Sequence, residues 1–167
     1  MNKPCIKKYN IKIPMPTEIL PSLWIGDYKD SADIGFMEKN NIKVIINCTK
    51  DLMFIDEPQI KHLKKIRIPV DDRPSVSYYD DNMIMYHTMH DVIKEIHEYI
   101  TNDKPVLVHC QMGKQRSAAI IAGYFIMYGN VDVETAVRYI RSKRPKCFYP
   151  KINFELALTK FHTHLNT

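Results

Sequence analysis

No stretch of apolar residues in this 167-residue chain approaches the ~18 needed to cross a bilayer. Behind the charges of the first twenty residues there is no apolar block of the kind a secretory leader carries. Both absences predict a soluble intracellular protein. Cysteine is sparse: Cys5, Cys48, Cys110 and Cys147 lie far apart and form no CxxC pair. That argues against a zinc knuckle and against a disulfide framework, and leaves each cysteine as a single thiol in a reducing compartment. There is no repeat, no low-complexity segment and no recognisable nucleic-acid motif or dense basic stripe, so neither a solenoid nor a nucleic-acid binder is expected. The net charge of +5 is mild and fits an anionic substrate.

What is present reads as one domain. Apolar residues make up 45% and charged residues 26%, which is enough to bury a core without staples. Residues 1–16, with scattered lysines and prolines, read as an N-terminal arm, a candidate dimerisation segment. Beyond it, short elements alternate. Leu23–Gly26, Lys43–Asn47, Lys65–Val70 and Pro105–His109 carry the β-branched or alternating patterns of strands. Helical spacing marks residues 30–41, 82–100, Ser117–Tyr128, Asp132–Lys143 with Asp132 as N-cap, and a last helix from Asn153 to His164. Strands alternating with helices predict an α/β domain over residues 17–167. Its centre is a mostly parallel sheet of four to five strands, flanked by helices on both faces.

The chemistry concentrates between Pro105 and Ser117. A buried strand delivers Cys110 to its C-terminal end, where open α/β sheets place ligands. A loop with Gly113 follows, then a helix whose N-terminus offers free N–H groups and a positive dipole end. Arg116 stands where a guanidinium fork can hold two phosphate oxygens. A cysteine in that field is expected to exist as thiolate, and a thiolate beside a phosphate cradle is a nucleophile for phosphorus.

The run His109-Cys110-Gln111-Met112-Gly113-Lys114-Gln115-Arg116-Ser117 matches HCxxGxxRS, the signature of the cysteine-based protein tyrosine phosphatases. The resemblance extends to the small dual-specificity branch. Glu18–Asp33 resembles its "I-L-P-x-L-x-L-G" opening, Ile42–Thr49 its next core strand, Ile68–Asp72 the segment ending in its general acid, and Val133–Pro145 its helix before the final loop. The resemblance implies metal-independent hydrolysis of phosphotyrosine and phosphoserine/threonine in proteins through a phosphocysteine, with no cofactor. Cys110 is then the nucleophile, and Arg116 the clamp on the phosphate. Gln111, Met112, Gly113, Lys114 and Gln115 share the phosphate-binding loop with Arg116. Ser117 eases departure of the thiolate, and His109 supports the loop from behind. Asp72 is the general acid, with Asp71, Asp80 and Asp81 as rivals, because the 38-residue step from Asp72 to Cys110 exceeds the family's habit. The extra length is expected in a loop over residues 73–83.

Further readings follow the resemblance. The asparagine that braces the phosphate loop in relatives is displaced here to Asn153 or is missing. Lys114 leaves phosphoinositide as an alternative substrate, the resemblance to relatives that act on RNA ends leaves RNA 5′-triphosphate as another, and a non-catalytic phosphoprotein-binding module is the other alternative. Cys48 stands where some relatives keep a thiol that captures the oxidised nucleophile. Tyr78, Tyr79, Phe148 and Tyr149 flank the expected pocket.

Overall fold

The computed structural model describes residues 16–72 and 78–167. The N-terminal arm, apart from its last residue, and residues 73–77 of the expected inserted loop therefore lie outside the described residues. Strands β1 (Thr17–Leu20), β2 (Leu23–Gly26), β3 (Val44–Asn47), β4 (Lys64–Arg67) and β5 (Val106–His109) form one sheet in the order β1-β2-β5-β3-β4. Only the β1–β2 hairpin is antiparallel; β2, β5, β3 and β4 all run the same way.

Side-chain alternation explains the two faces. On β5, Val106 and Val108 point into the larger core with Leu23, Ile25, Val44 and Ile46. Leu107 points the other way, into a smaller cluster with Ile45, Met37 and Ile60. All four residues of β5 and of β3 are buried, as continuous apolar runs in a parallel sheet require. Each such aliphatic side chain contributes about 1.5–3 kcal/mol by leaving water.

The larger face is covered by α2 (Tyr78–Thr101), α3 (Arg116–Gly129), α4 (Val133–Lys143) and α5 (Glu155–Leu165). The smaller is covered by α1 (Ile34–Lys39) and a 3-10 turn at Pro58–Ile60. Helix α3 runs through the centre, with nine of its fourteen residues buried from Ser117 to Ile126. Asp132 caps α4 as expected, its side chain accepting the Thr135 N–H at 2.7 Å.

Three boundaries differ from the expectations. The segment over 30–41 is a 3-10 turn at Asp30–Ala32 followed by the six-residue α1, restarted by Asp33, whose carboxylate accepts the Phe36 N–H at 2.9 Å. The strand over 65–70 pairs only from Lys64 to Arg67, because Pro69 has no N–H to carry the ladder on. Residues 78–83 are the first turns of α2 and not loop. Asp80 and Asp81 therefore sit on a helix.

Parallel strands place their C-terminal ends on one edge. The loops after β2, β3, β4 and β5 all emerge there, and this is the edge at which Cys110 stands.

Candidate active site

Cys110 follows β5 and is 1% exposed. Its Sγ lies 3.3 Å from Ser117 Oγ, on the first turn of α3. Burial alone would push the thiol up, but the opposing influences prevail. The Ser117 hydroxyl, the Arg116 guanidinium and the backbone N–H groups of Ser117 and Lys114 together hold Cys110 below the ordinary thiol value. The Cys110 sulfur thus faces the backbone N–H groups of Ser117 and Lys114 where α3 begins.

The loop around it is held from outside. Gly113 has φ +59°, and a Cβ there would meet the Gly26 carbonyl oxygen and Arg144 Nη2 at 2.5 Å, so only glycine fits. Its carbonyl accepts from Arg144 Nε at 2.8 Å, while Arg144 Nη1 donates to Thr17 Oγ1 at 3.0 Å. Arg144, at the C-terminal end of α4, is 2% exposed. This buried cation is a functional residue the sequence reading missed. The Lys114 carbonyl accepts from Phe148 N–H at 2.9 Å, and Arg141 in turn fastens the 147–148 turn by donating to the Cys147 and Phe148 carbonyls at 3.1 and 2.6 Å.

The brace expected at Asn153 is divided between two residues. The Gln115 side chain is buried and points away from the loop's mouth: its Nε2 donates to the Lys151 carbonyl at 2.8 Å, and its Oε1 accepts the Asn153 N–H at 3.1 Å. Gln115 can reach a phosphate only through its backbone. The Asn153 side chain donates to the Asp72 carbonyl at 3.4 Å. Met112 and Gln111 have exposed side chains, and Lys114 is half-buried.

Asp72 is brought to this ring. Its Oδ2 lies 3.4 Å from Arg116 Nε, and Arg116 Nη1 also reaches the Val70 carbonyl at 3.4 Å. Burial raises the Asp72 carboxyl above its ordinary value, against the pull of Arg116 and with a further push from Asp71. Asp71 accepts the Asp72 N–H at 2.8 Å. Asp81 is 2% exposed, and its Oδ1 accepts the Asp71 N–H at 3.0 Å and pairs with Lys50 Nζ at 2.9 Å. Asp80 is exposed on the first turn of α2.

His109 ends β5 on the face opposite Cys110 and is 1% exposed. Burial lowers its pKa to about 4, which keeps it neutral at ordinary pH. Cys48 is a free, fully buried thiol pushed well up, first by burial and then by the neighbouring Cys110 charge. Cys110 and Cys147 are free thiols too. Phe148 is fully buried and packs in the core, so it is no rim residue; Tyr149 and Tyr79 are exposed, at 74% and 61%. The side chain of Tyr78 lies outside what is described. Among the described residues no helix is long and apolar enough to cross a membrane, and no three His, Cys, Asp or Glu side chains gather as a metal site.

A thiol held below its ordinary value by Ser117, Arg116 and backbone donors, with the Asp72 carboxylate 3.4 Å from that arginine, is suited to cysteine-dependent handling of phosphate. Comparison with known proteins agrees. The family described as dual specificity phosphatase, catalytic domain, matches residues 23–164. Over 147 residues the chain is 32% identical to dual specificity protein phosphatase 22 of Xenopus tropicalis, covering 88% of this chain and 65% of that protein. With the human protein of the same name it shares 29% over 147 residues, covering 88% and 73%. The crystal structure of human DUSP28 superposes with a TM-score of 0.77 at 20% identity, over 92% of this chain and 97% of that one, a likeness of fold. The chain belongs to the dual specificity phosphatases and carries their cysteine-dependent catalytic domain. It spans 65% of the length of the frog relative.

Proposed function

We propose that this chain removes phosphate from phosphotyrosine and phosphoserine/threonine in proteins, in two steps, with Cys110 as nucleophile and Asp72 as general acid. In the first step the Cys110 thiolate attacks phosphorus. An S–P bond forms, the P–O bond to the substrate breaks, and Asp72 gives its proton to the leaving oxygen. The guanidinium of Arg116 and the N–H groups from Gln111 to Arg116 receive the three remaining phosphoryl oxygens. In the second step the Asp72 carboxylate takes a proton from water, which attacks phosphorus, and the S–P bond breaks. The Ser117 hydroxyl steadies the departing thiolate. His109 supports the loop and transfers no proton.

The observation that carries this reading is geometric: Cys110 Sγ lies 3.3 Å from Ser117 Oγ at the start of α3 and Asp72 Oδ2 lies 3.4 Å from Arg116 Nε, with the thiol held below and the carboxyl above their ordinary values. Each group is moved toward the protonation state its role demands.

The test is phosphate release from phosphotyrosine, phosphothreonine and doubly phosphorylated peptides, phosphoinositides and triphosphorylated RNA. Wild type runs beside Cys110→Ser and Asp72→Ala. Peptide turnover is expected, abolished in Cys110→Ser and reduced roughly 10²-fold or more in Asp72→Ala. Turnover confined to lipids or RNA would overturn the substrate class. Bound phosphopeptide with no release by the wild type would make the chain a binding module.

A further inference from the structure

Asp81 was considered as a rival acid, yet its carboxylate is turned to another task. It lies on the first turn of α2, 2% exposed, and two of its contacts leave the helix. One Oδ1 atom accepts the Asp71 N–H at 3.0 Å and meets Lys50 Nζ, from the loop after β3, at 2.9 Å. Asp71 passes the constraint on directly, since its own Oδ1 accepts the Asp72 N–H at 2.8 Å. A carboxylate this deeply buried is costly unless paired, and here the pairing is made with the backbone of the segment that bears the general acid.

The next residue repeats the arrangement on the other side. Asn82 is 1% exposed; its Nδ2 donates to the Asn153 carbonyl at 3.1 Å, and its Oδ1 accepts the Ala157 N–H at 3.0 Å. Asn153 in turn touches the Asp72 carbonyl at 3.4 Å and Gln115 Oε1 at 3.1 Å. Two successive side chains at the start of α2 therefore grip Asp72 from both flanks, through Asp71 and through Asn153.

We propose that Asp81, with Lys50 as its counter-ion, is a positioning residue for proton transfer: it holds the backbone at Asp71–Asp72 so that the Asp72 carboxyl stands over the phosphate loop. The proposal rests on Asp72 being the general acid. Misplacing an acid by an ångström is enough to cost an order of magnitude or more in rate. The effect is expected to fall on leaving-group protonation, because the Asp81 Oδ1 contacts run to the Asp71 N–H and to Lys50, on the acid segment's side of the site.

The experiment is a double-mutant cycle on the full chain, measuring kcat and KM on phenyl phosphate, a poor leaving group, and on 4-nitrophenyl phosphate, a good one. Asp81→Ala is expected to lower kcat on phenyl phosphate by about tenfold, with KM unchanged and a smaller loss on 4-nitrophenyl phosphate. In an Asp72→Ala background the same substitution is expected to change kcat by less than about twofold, since an effect exerted only through Asp72 cannot be lost twice. Asp81→Asn keeps an oxygen facing the Asp71 N–H and is expected to recover to within about threefold of wild type. Asp81→Ser, too short to reach Asp71, carries the same prediction as Asp81→Ala should the alanine variant fail to melt cooperatively. Equal losses on both substrates, equal losses in both backgrounds, or no loss at all would overturn the proposal. Failure of the parent reading looks different: Asp72→Ala alone would leave phenyl phosphate turnover unchanged.

Discussion

The phosphate loop and the acid segment face each other across the site, and they are held very differently. The loop from Cys110 to Arg116 is locked by a buried arginine at 2.8 Å, a glycine with positive φ, and a buried glutamine with two partners. The acid segment is only part-buried at Asp71 and Asp72: its backbone is held by side chains, at 3.0 Å from Asp81 and 2.8 Å from Asp71, while the Asp72 carboxylate meets Arg116 at the longer distance of 3.4 Å. The difference follows the chemistry. Stabilising a thiolate and three phosphoryl oxygens requires donors fixed in advance. A group that gives and retrieves one proton, the role proposed for Asp72, needs a carboxyl close at hand whose burial raises it above its ordinary value.

The comparison can be broken most severely at the locked side. Gly113→Ala drives a Cβ into the Gly26 carbonyl at a φ that disfavours any side chain. We expect phosphatase activity to fall at least about 10²-fold, with the iodoacetate reactivity of Cys110 shifted to higher pH as the donors leave its sulfur. Arg144→Met comes next. It strips the Gly113 carbonyl of its partner, and a buried acceptor left unsatisfied costs about 1–3 kcal/mol. A melting temperature lower by about 5 °C is expected, and no change in melting would show that the arginine does not hold the loop.

On the acid side the effects are smaller and selective. Asn153→Ala removes the 3.4 Å contact with the Asp72 carbonyl and leaves Gln115 its backbone partners. A roughly threefold loss is expected on phenyl phosphate, with none on 4-nitrophenyl phosphate. The pH profile sharpens the same contrast. Rate should rise as Cys110 ionises through its lowered pKa and fall as Asp72 loses its proton through its raised one, and Asp72→Ala should abolish only the alkaline fall.

His109 supplies a stability test independent of turnover. Its pKa is about 4 in the fold against 6.5 when exposed, so below 6.5 the unfolded chain binds more protons. Stability should therefore decline as pH falls from 6.5 to 4, by a few kcal/mol at most, and His109→Gln should flatten that slope in urea titrations. Smallest of all, Asp132→Ala, far from the site, should lower the melting temperature by about 2–3 °C through loss of its cap, with activity unchanged.

How much of this could be read in advance depends on where the physics lies along the chain. The phosphate loop was legible because its nucleophile, glycine, arginine and serine fall within eight residues, between a run that can only be a buried strand and a helix apolar nearly all round. The sheet was legible for β3 and β5 for the same reason, and the Asp132 cap announces itself before a periodic run. Arg144 was not legible: it acts 31 residues from Gly113 on a backbone carbonyl, and an arginine ending an amphipathic helix reads as a solvated C-terminal charge. Nor was the start of α2. Its apolar period becomes regular only from Met85, so Tyr78–Met83 read as loop and their two aspartates as free acids. The direction of the Gln115 side chain follows from the twist of the loop onto α3, which no local pattern encodes.

The central claim is that Cys110 carries the phosphoryl group. It is tested most directly by mixing phosphotyrosine peptide with Ser117→Ala, in which the S–P bond should break slowly, quenching within one turnover, and locating the added phosphoryl group by peptide mass spectrometry. The account predicts that it sits on Cys110 and is absent in Cys110→Ser. Phosphate released at the wild-type rate with no phosphoryl group on Cys110 would contradict it.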